Sequence, residues 1–161
     1  MSNYVGQPSP DPSSDAAGPQ RPAHTPFSVS VPMAVHGAKR ILVAEDDELV
    51  RMLVRAVLSC RGYEVLEAAD GEEGVRLFQE RGPFDLVILD HSMPKLGGHQ
   101  ALKRIRALNP SVPALGLSGM PIGPRGPEHD LEPDGFDARL NKPFHNTELL
   151  ALAQRLLNQV P

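Results

Sequence analysis

The chain has 161 residues, 40% of them hydrophobic, a formal net charge of -4 and a single cysteine, Cys60. That is enough for one globular domain with a core of its own and some unstructured sequence besides. An acidic chain without clustered Lys and Arg argues against a nucleic-acid binder, a lone cysteine excludes an intramolecular disulfide framework, and no segment approaches the roughly 18 consecutive apolar residues of a membrane span.

The N-terminus lacks the basic stretch followed by an apolar one that marks a secretion signal, and the cytoplasm is the expected location. Residues 1–38 are dense in Pro, Ser, Gly and Ala, with prolines at 8, 10, 12, 19, 22, 26 and 32. Such a segment cannot bury enough apolar surface to offset its ordering entropy and is expected to be a disordered N-terminal extension. Met33 opens MAVHGAKRILV, a short lead into the first strand, and a start there is the alternative to a native extension.

From residue 39 onward strand-length apolar runs alternate with helix-period segments. The strands are predicted at 40–44, 63–68, 84–89, 114–117 and 138–141, and the helices at 47–60, 71–80, 98–108 and 147–159. FDLVILD is nearly continuous in apolar residues, as expected of a central parallel strand covered on both faces. Alternating βα units predict a doubly wound α/β domain with right-handed crossovers over residues 39–160. In the first helix Cys60 falls in register with Leu49, Leu53 and Val57, which predicts core packing rather than redox chemistry.

Glu45, Asp46 and Asp47 follow the first strand and Asp90 ends the third. Ligands in such sheets bind beyond the carboxyl ends of the strands, where strand order reverses. If the order is 2-1-3-4-5, that reversal lies between strands one and three, and Glu45, Asp46 and Asp90 share a cleft. Carboxylates so close repel unless a cation sits among them, and oxygen-only ligands suit magnesium better than zinc. Ser118 and Lys142, from the ends of strands four and five, face the same edge. A carboxylate nucleophile, a divalent cation, a hydroxyl and an ammonium are the parts for forming an acyl phosphate on Asp90. Taken singly, each has an ordinary explanation: a helix start, an N-cap, a turn residue, a surface charge. Together they all fall at carboxyl ends of strands, which scattered surface polarity does not produce.

ILVAEDDE, FDLVILDHSMP, LGLSG and LNKPF, in this order and spacing, resemble the signatures of the response-regulator receiver domains of two-component signal transduction. The resemblance implies a five-stranded parallel sheet of flavodoxin-like order 2-1-3-4-5. It also implies that Asp90 is the phosphoacceptor, that Glu45 and Asp46 are the acidic pair with Asp47 outside it, and that magnesium (Mg2+) is held by that pair, Asp90 and the Ser92 backbone carbonyl. Ser118 and Lys142 match the hydroxyl and lysine positions, and Pro143 the family's cis proline. The implied partners are a histidine kinase or histidine phosphotransfer protein and a further downstream protein. One final helix leaves no room for an output domain, so output by protein contact is expected, with a weak homodimer open as a use for the last helix's broad apolar surface.

Rival readings differ in residues. A haloacid-dehalogenase-type phosphatase places a second acid two residues after its nucleophilic Asp, where this chain has Ser92, and a nucleotide binder needs glycines where this chain has carboxylates. His91 is expected to point away from Asp90 as an ordinary exposed or loop histidine. The alternative function is a phosphorylation-independent interaction module on the same fold. Two departures from the family pattern stand out. Prolines at 121, 124, 127 and 133 predict a fourth helix shortened or absent, and Arg139 replaces the aromatic residue whose ring swings inward on phosphorylation. Phosphorylation is therefore expected to reorder residues 119–134, with Arg139 solvated or paired to an acid there.

Overall fold

The computed structural model describes residues 37–119 and 135–159. The predicted extension falls outside the described residues except for Gly37 and Ala38, as do the proline-rich stretch 120–134, any reordering there, and Val160 at the chain's end.

Five parallel strands, β1 (Arg40–Ala44), β2 (Glu64–Ala68), β3 (Leu86–Asp90), β4 (Ala114–Ser118) and β5 (Ala138–Asn141), form one sheet in the order β2-β1-β3-β4-β5. The described helices are α1 (Glu48–Ser59), α2 (Gly71–Arg81), α3 (Gly98–Leu108) and α4 (Asn146–Leu157). The expected strand order is thus the observed one. The position of the family's fourth helix lies in 120–134, so α4 here is the last helix.

β3 is buried at all five residues because it is covered on both faces. Below one face, Leu42, Val87 and Leu89 pack with Phe78 of α2 and Leu102 and Ile105 of α3; below the other, Ile41, Ile88 and Leu115 pack with Val54 and Leu58 of α1 and Leu149 and Leu156 of α4. Alternation along each strand feeds these two cores in turn. In α4, Leu149, Ala153, Leu156 and Leu157 are buried and Leu150 and Leu152 half-buried, so the core takes up most of its apolar surface.

Two expectations shift. β3 begins two residues later than predicted and takes in Asp90, because Asp85 serves the sheet's amino edge instead: its carboxylate accepts the Arg40 N–H at 2.8 Å and pairs with Lys39 at 2.9 Å. Cys60 is exposed, as are Leu49 and Leu53, so the predicted core face of α1 is wrong. The helix is apolar around much of its circumference, and Val50, Val54, Val57 and Leu58 face the sheet. No helix among the described residues is long and apolar enough to cross a membrane.

Candidate functional site

Register carries the acidic residues to one edge. Ala44 pairs with Leu89, so Glu45 and Asp90, next along their strands, stand side by side beyond the sheet's centre. Ser118 pairs with Asn141, and the Lys142 N–H donates to the Ser118 carbonyl at 2.7 Å, which fixes where the lysine leaves β5. The Lys142–Pro143 peptide is cis, as the resemblance implies.

Glu45 is fully buried and Asp90 is 4% exposed. The Lys142 ammonium lies between them, hydrogen-bonded to Glu45 Oε1 at 2.8 Å, 2.7 Å from Oε2 and 3.1 Å from Asp90 Oδ2. Burial pushes the Glu45 carboxyl above its ordinary range and the Asp90 charge adds to this, against the hydrogen bond and charge of Lys142. For Lys142, burial works against the charged form, but Glu45 and then Asp90 outweigh it and hold the ammonium above its ordinary value. Lys142 is therefore a cation at neutral pH.

Asp46 is exposed, yet it offers an oxygen that lies with oxygens of Glu45 and Asp90 inside a 4.8 Å cluster. Asp90 Oδ1 is buried and accepts no hydrogen bond. A buried carboxylate oxygen without a donor, in a cluster of three carboxylates beside the Lys142 ammonium, is the environment a hard divalent cation completes. The donor set fits magnesium.

Asp47 stands apart from this cluster. Its side chain caps α1, with Oδ1 accepting the N–H groups of Leu49 at 2.9 Å and Val50 at 3.2 Å. Ser118 is half-buried at the end of β4, and Ser92 is exposed in the turn after β3. Arg139 is half-buried on the edge strand. The structure therefore brings Glu45, Asp90 and Lys142 into contact, gathers an Asp46 oxygen within 4.8 Å of those of Glu45 and Asp90, and sets Ser118 and Ser92 at the same strand ends.

His91 lies in the turn after β3, a loop position as expected, but it is not exposed. Its ring is half-buried and stacked on Phe136, with centroids 4.8 Å apart. The ring occupies space that only glycine leaves open: a Cβ on Gly116 would stand 2.6 Å from His91 Nε2. A glycine inside an otherwise apolar strand was the available signal, since it often marks such close approach.

A second feature left no mark in the sequence. Asp70, 7% exposed, caps α2 by accepting the Glu73 N–H at 2.8 Å and also binds the Lys95 ammonium. Lys95 has a left-handed φ of 64°. The pair joins the loop before α2 to the loop between β3 and α3. Asp70→Ala is expected to cost about 1–2 kcal/mol, from the cap and the lost ion pair. The Lys95 hydrogen bond, then the Glu73 N–H, hold the Asp70 carboxyl below its ordinary range. A depressed folded pKa contributes stability present above the unfolded value and lost as pH falls through the folded one. Urea unfolding of wild type and variant should therefore differ fully above about pH 5, with the difference shrinking only as pH falls below about 4 through the lowered folded value, whereas a difference that stays constant down to the onset of acid unfolding would contradict the assignment.

The described geometry has close counterparts. The sequence pattern of the response regulator receiver domain matches residues 41–154. A probable transcriptional regulator, ycf27, of Cyanophora paradoxa is 37% identical over 122 residues, which cover 75% of this chain and 49% of that protein. Response regulator MprA of Mycobacterium sp. (strain KMS) is 38% identical over 121 residues, covering 74% of this chain and 51% of the relative. The chain thus spans about half the length of these curated relatives. Among solved structures, the receiver domain of the Francisella response regulator 1452 superposes with a TM-score of 0.67 at 28% identity, covering 76% of this chain and 99% of that one. The receiver domain of the sensor histidine kinase PA1611 from Pseudomonas aeruginosa PAO1, whose active-site cleft coordinates a magnesium ion, gives a TM-score of 0.67 at 30% identity, covering 76% of this chain and 100% of that one.

Proposed function

The chain belongs to the response-regulator receiver family, and on that premise we propose that it is a magnesium-dependent switch that accepts a phosphoryl group on Asp90 from a histidine kinase or histidine phosphotransfer protein. The observation that carries this reading is the Asp90 carboxylate itself, almost wholly buried, with Oδ1 unpartnered and Oδ2 held by Lys142.

An Asp90 oxygen attacks phosphorus, the bond from phosphorus to the donor's imidazole nitrogen breaks, and an acyl phosphate forms. Phosphoryl transfer needs positioning and charge stabilisation more than covalent help. Lys142 supplies both, because the contacts that hold its ammonium against Glu45 and Asp90 leave it beside the transferring group. Ser118, at the neighbouring strand end, donates its hydroxyl to a phosphate oxygen once the group is attached. Magnesium, held by Glu45, Asp46, Asp90 and the Ser92 carbonyl, would supply further positive charge to the phosphoryl oxygens.

The domain acts by switching rather than by turning over a substrate, and its output is a contact with a second protein in the cytoplasm. Incubation with a small acyl-phosphate donor and magnesium, read by intact mass, should give a singly phosphorylated protein. Excess chelator should suppress the adduct; equal phosphorylation in chelator would overturn the metal-dependent reading.

A further inference from the structure

The loop between β1 and α1 must keep Asp46 aimed at two other carboxylates, although like charges resist that arrangement. Among the described residues, no side-chain hydrogen bond or ion pair reaches the Asp46 carboxylate, so its aim depends on the backbone that carries it. That backbone is held by Arg51. Its Nη1 donates to the carbonyl of Glu45 at 2.7 Å and reaches that of Asp46 at 3.4 Å.

The two carbonyls belong to consecutive peptide planes, and those planes flank the Asp46 Cα. A trans peptide is rigid, so a carbonyl drawn toward Arg51 turns its N–H the opposite way. The second plane behaves accordingly: the Asp47 N–H donates to Glu45 Oε1 at 3.3 Å. One guanidinium thus sets both planes. It is itself largely covered, with its side chain 17% exposed, and its Nε lies 3.9 Å from Glu67 on β2. The Glu67 carboxylate is anchored in turn by Arg55 at 2.9 Å.

We propose that Arg51 is a positioning residue for the metal-binding carboxylates, orienting the Glu45–Asp46 and Asp46–Asp47 peptides so that Asp46 stays directed at Asp90. The inference rests on reading the cluster as a magnesium site. Arg51 touches neither metal nor phosphoryl group and acts through Asp46.

Magnesium titration of the full chain by isothermal calorimetry tests this, with thermal melts in chelator to show that each variant folds. Arg51→Ala should weaken magnesium about tenfold or more, the usual scale for losing a group that orients a ligand. Arg51→Lys keeps the charge but not the planar group whose Nε lies toward Glu67 while Nη1 meets the carbonyls, and should fall between that variant and wild type. Arg76→Ala, which removes the same charge from α2, where Arg76 pairs with Glu73 of its own helix, should stay within about twofold. Because Arg51 acts through Asp46, the double variant Asp46→Asn with Arg51→Ala should bind no more weakly than Asp46→Asn alone.

Wild-type affinity in Arg51→Ala, equal losses in Arg51→Ala and Arg76→Ala, or additive losses in the double variant would each overturn the proposal. Should Arg51→Ala fail to melt cooperatively, Arg51→Lys decides, and wild-type affinity there overturns it. A wild-type chain that binds no magnesium would overturn the site reading along with this inference, which separates the two failures.

Discussion

Lys142→Ala is expected to leave a folded protein whose stability at neutral pH falls by roughly 3 kcal/mol, the low end of the cost of removing one partner from a buried ion pair. The low end applies because the ammonium is 21% exposed, while the Glu45 and Asp90 carboxylates that it holds are nearly inaccessible. Without it two buried anions face each other, and Glu45, already pushed upward by burial, must rise further. The sign of the pH dependence follows. A carboxyl whose folded pKa lies above its unfolded value takes up a proton on folding, so its penalty grows as pH rises between the two values and vanishes below both. The variant should therefore regain most of the lost stability on acidification toward about pH 4, before general acid unfolding, and also on adding magnesium at neutral pH. Chemical unfolding at several pH values, with and without metal, checks this. A loss independent of both pH and magnesium would mean that Lys142 contributes packing rather than charge balance. Magnesium binding itself should survive the substitution, since the ammonium is not a ligand.

Gly98→Ala should be comparably costly for a steric reason. A Cβ there would stand 2.2 Å from the carbonyl oxygen of Asp90 and 2.9 Å from its carbonyl carbon. Both are backbone atoms of the residue that must stay in place, and no side chain can turn aside to relieve the clash. The start of α3 or the end of β3 has to move, at about 3 kcal/mol for an overpacked interior. Any movement of β3 also carries Asp90 away from Glu45 and Lys142, so the variant should lose phosphorylation rate beyond what its lowered stability explains. Unfolding midpoints combined with initial rates of adduct formation would show it. A variant with wild-type stability and rate would place the α3 start further from Asp90 than the structure does.

What the sequence made legible follows from periodicity and chain direction. The near-continuous apolar run of β3 announces a strand covered on both faces, and alternation with helix-period segments announces a parallel sheet. Once the strands are parallel, residues at their carboxyl ends must share an edge, which is why Glu45, Asp46, Asp90, Ser118 and Lys142 could be grouped in advance. The order 2-1-3-4-5 came from family resemblance instead, because apolar runs do not say which strand lies beside which.

The misreadings have physical sources as well. In α1, Leu49, Met52 and Leu53 are exposed, while Val50, Val54 and Leu58 face the core, so apolar residues lie on both sides and the pattern alone selects the wrong stripe through Cys60. The His91 slot depends on Gly116 and Phe136, which join it only through the β3–β4 register and the turn into β5. The contact between Asp70 and Lys95 needs a left-handed residue at 95, a conformation that lysine does not advertise. Arg51 reads in sequence as one more charge on a helix, and only the path of the chain shows that it turns back to the carbonyls of Glu45 and Asp46.

The account stands on Asp90 as the phosphoacceptor, and the most direct measurement locates the phosphoryl group. After loading with a small acyl-phosphate donor and magnesium, wild-type protein should carry a single hydroxylamine-labile phosphoryl group on the peptide that contains Asp90, and Asp90→Asn should carry none. An adduct equally abundant in Asp90→Asn, or one mapped to another residue of the wild type, would contradict it.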